Sequence, residues 1–260
     1  MPSISVIIPV YNDAELLRTC LAALATQTRT ADEIVVVDNA STDASAHVAR
    51  LAGARVVLEP QRGILAATAA GFDAASGDIL ARLDADSVAP PTWLEQIERC
   101  FENRPEAYAV TGTATFYGGT ALTRWYGRAV DLGTYFTLFR GLLGHPPLFG
   151  SNFAIRTDAW HRMRPRVHRN RSDIHDDLDL SYQVEPNMQV VFDGNLGMQI
   201  SARPFGSLSN FSRRISWGFR TVWINSREET PWQRRAARRS TAGVERAPRF
   251  ALRRAQPDRG

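Results

Sequence analysis

Strand-like and helix-like segments alternate along the first 115 residues, and the connections between them are short. The strand-like segments are short apolar runs, whereas the segments between them repeat apolar residues at helical spacing. Strands that alternate with helices form right-handed βαβ units, which place strands parallel to one another in one sheet. The sequence therefore predicts an α/β fold with a mostly parallel central sheet flanked by helices. The predicted strands are residues 4–9, 33–38, 54–58, 79–84 and 107–115.

The helices between these strands have recognisable start signals. Asp13 is a plausible N-cap of the first helix, Ser41 or Asp43 can cap the second, and Gly63 opens an Ala-rich third helix. Pro91 suits the first turn of the fourth. Beyond residue 115 the alternation weakens. There we expect one long or two short amphipathic helices over 121–143, an extended segment over 149–156, a helix over 176–184 and an extended segment over 189–192.

The chain contains no lysine, because all 31 residues counted as Lys or Arg are Arg. This absence excludes P-loop proteins, protein kinases and Schiff-base enzymes, since each requires a lysine amine. No G-x-G-x-x-G turn follows the first predicted strand, which argues against an NAD enzyme. Cys20 and Cys100 lack the spacing of a metal site, so we expect reduced, buried thiols.

Positive charge is concentrated at the end of the sequence. Residues 227–260 contain ten Arg and four acids, a net charge of +6, which leaves −2 for residues 1–226. We therefore expect an Arg-rich, flexible tail over 231–260. Peripheral contact of this tail with an anionic membrane is the first alternative, and nucleic acid is disfavoured because no base-stacking motif accompanies the charge. No run of apolar residues is long enough to span a bilayer, and we expect a cytoplasmic protein, with the inner face of the membrane as its alternative location.

Polar clusters follow four of the predicted strands, at residues 9–12, 38–41, 61–63 and 84–87. In an open parallel sheet, ligands bind beyond the carboxyl ends of the strands, where the connecting loops meet. The coincidence of four clusters at this edge predicts a binding site there.

Asp84 and Asp86 are the candidate metal ligands of this edge. They follow a buried strand at a spacing of two, so both carboxylates can point the same way and offer hard oxygen ligands to Mg²⁺ or Mn²⁺. A diphosphate bound by a chain without lysine or a glycine cradle needs arginines and a divalent cation to offset its charge. A D-x-D in a loop is often only a turn, but its place after an apolar strand favours a metal site.

Three segments resemble the family 2 glycosyltransferases, which have the Rossmann-like GT-A fold of nucleotide-diphospho-sugar transferases. They are S-V-I-I-P-V-Y-N at 5–12, E-I-V-V-V-D-N-A-S-T-D at 33–43 and D-A-D at 84–86. The resemblance is specific over about residues 4–115. It continues more weakly to about residue 195, through G-S-N-F-A-I-R at 150–156 and the acidic motif H-D-D-L-D-L at 175–180, where aspartate replaces the usual glutamate at 176.

The resemblance implies roles for individual residues. The nucleotide-sugar donor would contact Pro9, Tyr11, Asp38 and Arg62, and Asp84 would meet either its ribose or the metal. Asp86 would bind the metal, Asp177 would act as general base, and Asp176 would bind or assist the acceptor. The loop beside the donor sugar and the acceptor would be formed by Gly150, Ser151 and Asn152.

Further along, R-R-I-S-W at 213–217 keeps an Arg and a Trp of the Q-x-x-R-W motif of processive members but lacks the Gln, which favours transfer of one or a few sugars. Arg213 and Arg214 either approach the diphosphate or form a basic helix face.

The implied reaction is an inverting transfer from a nucleotide diphospho-sugar, with UDP favoured, to a hydroxyl of a glycan or lipid-linked acceptor. The base removes the hydroxyl proton, and Mn²⁺ or Mg²⁺ with arginines offsets the charge of the leaving diphosphate. The alternatives are a polyprenyl-phosphate glycosyltransferase and a non-catalytic nucleotide-sugar-binding or membrane-adaptor protein. A nucleotidylyltransferase is disfavoured because the glycine-rich basic loop is missing. Within one domain, residues 1–115 would bind the donor and residues 116–230 the acceptor.

Overall fold

The computed structural model describes residues 1–119, 133–203 and 208–246, without the side chains of residues 134, 208–214 and 241–246. Within these ranges the strands are β1 (Ile4–Val10), β2 (Glu33–Asp38), β3 (Arg55–Leu58), β4 (Ile79–Arg82), β5 (Ala107–Tyr117), β6 (Phe153–Arg156) and β7 (Gln189–Ser201). The helices are α1 (Ala14–Ala25), α2 (Ser45–Leu51), α3 (Ile64–Ala74), α4 (Trp93–Asn103), α5 (Gly133–Leu143), α6 (Thr157–Met163), α7 (Asp176–Gln183), α8 (Leu208–Glu228) and α9 (Pro231–Arg246).

The strands form one sheet in the order β3-β2-β1-β4-β6-β5-β7. Strand β1 lies parallel to both β2 and β4, β2 is parallel to β3, and β5 is parallel to β7. Strand β6 is antiparallel to its two neighbours, β4 and β5. The predicted α/β fold with a mostly parallel sheet is confirmed, and β6 joins the earlier strands to the later ones.

Each face of the sheet packs against a layer of helices. In β1, Ile4, Val6 and Ile8 face a core that includes residues of α1 and α4, whereas Ile7 faces the core of α3 and α6. This alternation follows from the two-residue period of a strand. The large side chains Trp93 and Trp160 are fully buried, one in each core. Cys20 and Cys100 are buried and free, as expected.

Several boundaries differ from the predicted ones, and two of these differences shape the site. Strand β4 ends at Arg82, so Asp84 and Asp86 lie in the following loop rather than at the strand end. Strand β6 begins only at Phe153, and residues 149–152, predicted to be extended, form a turn. Strand β7 is longer than predicted because it pairs with β5 along its length, with a register shift between Gly112 and Thr113.

The basic segment after residue 230 was predicted to be a flexible tail, but α9 covers Pro231–Arg246. Arg234 is buried and donates hydrogen bonds to Glu229 and to the backbone oxygen of Val184, the residue after α7. Arg238 donates to the same carbonyl. Arginines near a helix C-terminus can satisfy carbonyls that have no partner within the helix, so these guanidinium groups hold α9 in place. Residues 247–260 lie outside the described part of the chain.

The predicted amphipathic region over 121–143 is described only in part. Its end is α5, and residues 120–132 are not among the described residues. Within the described ranges no helix has the length and apolar character needed to cross a membrane.

Candidate active site at the carboxyl edge of the sheet

The ends of β1 and β2 bring together three of the residues predicted to contact the donor. Tyr11 directly follows β1 and is 44% exposed, while Asp38 is the buried last residue of β2. The guanidinium carbon of Arg62 lies 3.4 Å from the centroid of the Tyr11 ring. Pro9 lies inside β1, where it is buried and pairs in register with Val37. Tyr11, Asp38 and Arg62 therefore line one end of the site, and Pro9 supports it from within the sheet.

Asn39 belongs to the polar cluster at 38–41, but the sequence analysis assigned it no role. Its side-chain Nδ2 donates to the carbonyls of Glu59 and Gln61 at 2.9 and 2.7 Å, and its Oδ1 accepts from the backbone amide of Gly63 at 2.8 Å. These bonds join the loop after β2 to the loop after β3 and place Arg62 beside Tyr11. Its position directly after Asp38, at the end of β2, was the sequence signal that could have indicated a role in the site.

Arg82, also missed, lies at the centre of the site. Arg82 is only 1% exposed, and its Nη2 lies 2.8 Å from Asp84 Oδ1 and 3.0 Å from Asp176 Oδ2. A buried guanidinium requires compensating charge, and the carboxylates supply it. These acids, with Asp177 and Asp86, raise the pKa of Arg82 against the opposing effect of burial. Arg82 thus connects the acidic loop after β4 to the start of α7, which are far apart in sequence.

The turn before β6 supports this arrangement. A Cβ at Gly150 would lie 2.2 Å from Nη1 of Arg82, so glycine makes room for the guanidinium there. The hydroxyl of Ser151 donates to Asp84 Oδ2. Asn152 is buried, accepts a hydrogen bond from Trp93 and donates to the carbonyls of Thr113 and Leu196. The Asn152 amide points into the sheet, where it bridges β5 and β7 at their register shift. The implied place of this loop beside the donor sugar stays a prediction.

Asp86 is paired with an arginine that the sequence analysis did not single out. Nη2 of Arg203 lies 3.0 Å from Asp86 Oδ2 and 2.6 Å from Asp13 Oδ2. Asp13 stands at the N-cap position of α1 as predicted, yet its side chain makes no capping bond. The amide of Ala14 donates to Asp43 instead. Burial and the neighbouring Asp84 carboxylate raise the pKa of Asp86, although Arg203 opposes the rise.

The start of α7 holds two buried carboxylates in different environments. Asp177 Oδ2 accepts from the backbone amide of Gly150 at 3.2 Å, and its Oδ1 lies 3.4 Å from Nδ1 of His175. Burial by itself would raise the pKa of Asp177, but these two partners lower it. Burial raises the pKa of Asp176, and the adjacent charge of Asp177 adds to the rise while Arg82 opposes it. Neighbouring carboxylates with opposite pKa shifts are typical of acid–base sites, and Asp177 is the more acidic of the two.

The residues present fit a divalent cation. Asp84 and Asp86 offer hard oxygen ligands, and burial together with the nearby Asp84 carboxylate raises the pKa of Asp86. The guanidinium group of Arg203 supplies the positive charge beside Asp86 in this structure. A second group, formed by His175, Asp176 and Asp177, has candidate ligand atoms within 4.8 Å of one another.

Arg213 and Arg214 belong to α8, but their side chains are not among the described ones. That they approach a diphosphate therefore stays a prediction. Trp217, from the same segment, lies edge-on to His175 with ring centroids 6.4 Å apart. The segment 213–217 therefore reaches the base region through its tryptophan.

The mostly parallel sheet with an acidic cluster at its carboxyl edge is the arrangement that the resemblance to GT-A glycosyltransferases implies. The family model "Glycosyl transferase family 2" matches residues 5–164, and the chain belongs to this family of enzymes. The chain is 39% identical over 240 residues to the glycosyltransferase AglE of Haloferax volcanii, covering 87% of this chain and 76% of that protein.

Other similarities are more distant or shorter. Over 141 residues the chain is 39% identical to the undecaprenyl-phosphate 4-deoxy-4-formamido-L-arabinose transferase of Pseudomonas paraeruginosa, covering 50% of this chain and only 40% of that protein. Among solved structures it resembles glucosyl-3-phosphoglycerate synthase of Mycobacterium tuberculosis, in a complex with Mn²⁺ and UDP, with TM-score 0.60, 20% identity and coverage of 86% and 80%. It also resembles a mannosyltransferase of Pyrobaculum calidifontis bound to GDP-Man and Mn²⁺, with TM-score 0.60, 17% identity and coverage of 95% and 76%. These two structures support the GT-A fold.

Proposed function

We propose that the chain transfers a sugar, with inversion, from a nucleotide diphospho-sugar to a hydroxyl of a glycan or lipid-linked acceptor. The observation that carries the proposal is the convergence of Asp84, Asp86, Asp176 and Asp177 around the buried Arg82. Two of these acids belong to the donor-side loop and two to the start of α7. The donor-side acids could hold a divalent cation that binds the diphosphate of a donor, and the acids of α7 could activate an acceptor on the other side.

On the donor side, Tyr11 and Asp38 offer a ring face and a carboxylate to a nucleobase, and a UDP-sugar is the favoured donor. Structural neighbours bind UDP in one case and GDP-Man in another, both with Mn²⁺. Asp86 and Asp84 would hold Mn²⁺ or Mg²⁺, which would offset the negative charge of the departing diphosphate. Arg203, already beside Asp86, is placed to contribute a further positive charge.

On the acceptor side, Asp177 is proposed as the general base. Its lowered pKa keeps it ionised at neutral pH, which a base requires, and His175 and the amide of Gly150 hold its orientation. It would take the proton of the acceptor hydroxyl while that oxygen attacks the anomeric carbon opposite the leaving diphosphate. A direct displacement of this kind needs no enzyme nucleophile and inverts the anomeric centre.

A second candidate is transfer to a polyprenyl phosphate. The undecaprenyl-phosphate transferases among the relatives favour it, although the chain spans only 40% of their length. A phosphate acceptor is already ionised and needs no base. The two candidates therefore differ in how strongly activity depends on Asp177.

The test is nucleoside-diphosphate release measured with UDP-, GDP- and dTDP-sugars, each with a hydroxyl acceptor or with a polyprenyl phosphate. For a hydroxyl acceptor we expect Asp177→Asn to lower kcat by about 10²- to 10⁴-fold, the usual contribution of a general base. Asp86→Asn should abolish activity with either acceptor because it removes a metal ligand. Nucleotide binding, read as a rise in melting temperature, should survive in Asp177→Asn.

Asp158→Asn is the matched control, because Asp158 is an exposed acid at the start of α6. Its activity should equal that of the unaltered chain. Turnover on polyprenyl phosphate that is retained in Asp177→Asn would favour the second candidate. Nucleotide binding without turnover on any acceptor would support the non-catalytic alternative instead.

A further inference from the structure

Helix α8 buries polar residues on its inner face. Thr221 and Asn225 are fully or almost fully buried. The hydroxyl of Thr221 accepts a hydrogen bond from the amide of His175, and Asn225 donates from Nδ2 to Asp179 Oδ1 at 3.1 Å. Gln183 of α7 donates to Asn225 Oδ1. The helix is therefore held against α7 by hydrogen bonds as well as by apolar packing.

The outer face of the same helix is apolar. Ile215, Phe219 and Trp223 are 45%, 75% and 57% exposed. They are spaced four residues apart, which places them in one row along a helix. We call this row the aromatic stripe. Helix α8 therefore presents an apolar row to solvent in addition to Val222 and Ile224, which pack against the core.

Arginine side chains accompany the exposed aromatic rings. The guanidinium carbon of Arg227 lies 3.7 Å from the centroid of a Trp223 ring. On α9, Trp232 is 75% exposed and Arg235 lies 4.7 Å from its ring. Residues 208–246 contain nine Arg and three acids, a net charge of +6. The two helices thus combine exposed aromatic rings with a strong positive charge.

We propose that the aromatic stripe docks this enzyme on the surface of an anionic lipid bilayer. Tryptophan and phenylalanine partition to the boundary between headgroups and acyl chains, where arginine binds anionic headgroups. A second copy of the chain fits this face less well, because two like-charged helix pairs would repel each other. The proposal goes beyond sugar transfer: it concerns a surface of α8 whose docking requires neither donor nor acceptor.

The test is co-sedimentation of the full chain with vesicles of phosphatidylcholine and phosphatidylglycerol at equal parts, and with pure phosphatidylcholine vesicles. We expect binding to the anionic vesicles that is weakened by 0.5 M salt and is much weaker on the neutral ones. The double variant Phe219→Ser with Trp223→Ser should require at least tenfold more anionic lipid for half-maximal binding. Leu51→Ser is the matched control, because Leu51 is 70% exposed at the end of α2.

Folding and the proposed function are checked separately. The double variant should keep its melting temperature and its nucleotide-induced shift, since neither ring has been assigned to the site. Vesicle binding is measured without donor or acceptor, so an inactive but docking enzyme would contradict only the proposed reaction. The docking proposal is overturned if the unaltered chain does not bind anionic vesicles, or if the double variant binds them equally well. A dimer in solution that the double variant dissociates would assign the stripe to a second copy and would also overturn it.

Discussion

The donor side and the base side of the site are built in different ways. On the donor side, Tyr11 directly follows β1 and Asp38 ends the neighbouring parallel strand β2, so the register of the two strands places them together. On the base side, the orientation of the Asp177 carboxylate depends on contacts with the amide of Gly150 and with His175. Strand register therefore brings the candidate nucleotide-binding residues Tyr11 and Asp38 together, whereas the buried carboxylates of α7 require specific partners from other elements.

Arg82 connects the two sides, and its removal should have the largest effect on stability. In Arg82→Met, Asp176 would stay buried without its guanidinium partner, and breaking a buried ion pair costs about 3–5 kcal/mol. Urea unfolding monitored by circular dichroism measures the change. Arg18→Met is the control, because Arg18 forms an exposed pair with Glu15 and should change the free energy of unfolding by less than about 1 kcal/mol. Equal effects of the two substitutions would contradict a connecting role for Arg82.

The base side contains a histidine whose pairing stabilises the fold in a pH-dependent way. His168 Nδ1 lies 2.7 Å from the fully buried Asp179 Oδ1, and this hydrogen bond raises the pKa of His168. Because the pKa is higher in the folded state, the resulting stability is present below about pH 6.5 and is lost as pH rises through the raised pKa.

The variant His168→Gln should therefore lower the free energy of unfolding by about 1 kcal/mol near pH 6. The loss should be smaller at pH 9. Urea titrations of both proteins at the two pH values measure it. His161→Gln, at an exposed position of α6, serves as the control. A loss that grows with pH would show that the charged form of His168 does not stabilise the fold.

The donor side should respond to a change at Arg203 with little loss of stability. Arg203→Ala removes the guanidinium group that lies beside Asp86, so a cation no longer competes with it for this carboxylate. We expect the affinity for Mn²⁺, measured by isothermal titration calorimetry without nucleotide, to rise several-fold. The Arg203 side chain is 53% exposed, and the free energy of unfolding should change by less than about 1 kcal/mol.

Arg220→Ala is the matched control, because Arg220 pairs with Asp173 and has similar exposure. It should leave Mn²⁺ binding unchanged. Unchanged or weaker Mn²⁺ binding in Arg203→Ala would mean that the pairing does not oppose the metal.

Much of the donor side could be predicted from the sequence, because strand periodicity and loop polarity are local properties. The sequence indicated the succession of the first five strands along the chain, the polar edge of the sheet and the acidic segment with Asp84 and Asp86. Arg82 was not. It reads as one residue in an apolar strand, and its role depends on Asp176, which is 94 residues away.

The structure of the C-terminal region, in contrast, could not be predicted from the sequence pattern. The run of arginines after residue 230 predicted a flexible tail, because high charge and weak periodicity favour disorder. Arg234 and Arg238 instead bind backbone carbonyls beyond α7, so partners outside the segment order it. Sequence patterns do not reveal such partners, since they lie 50 or more residues away.

The sequence by itself determined the α/β class, the parallel arrangement of β1 to β4, the carboxyl-edge location of the site and, through its motifs, the family. These features depend on short-range periodicity and on the way strands add to a sheet. The tertiary structure decided which charges are paired, that the Asn152 amide bridges two strands of the sheet, and which face of α8 meets solvent. Those outcomes depend on burial and electrostatic compensation between distant segments, which arise only when the chain is packed.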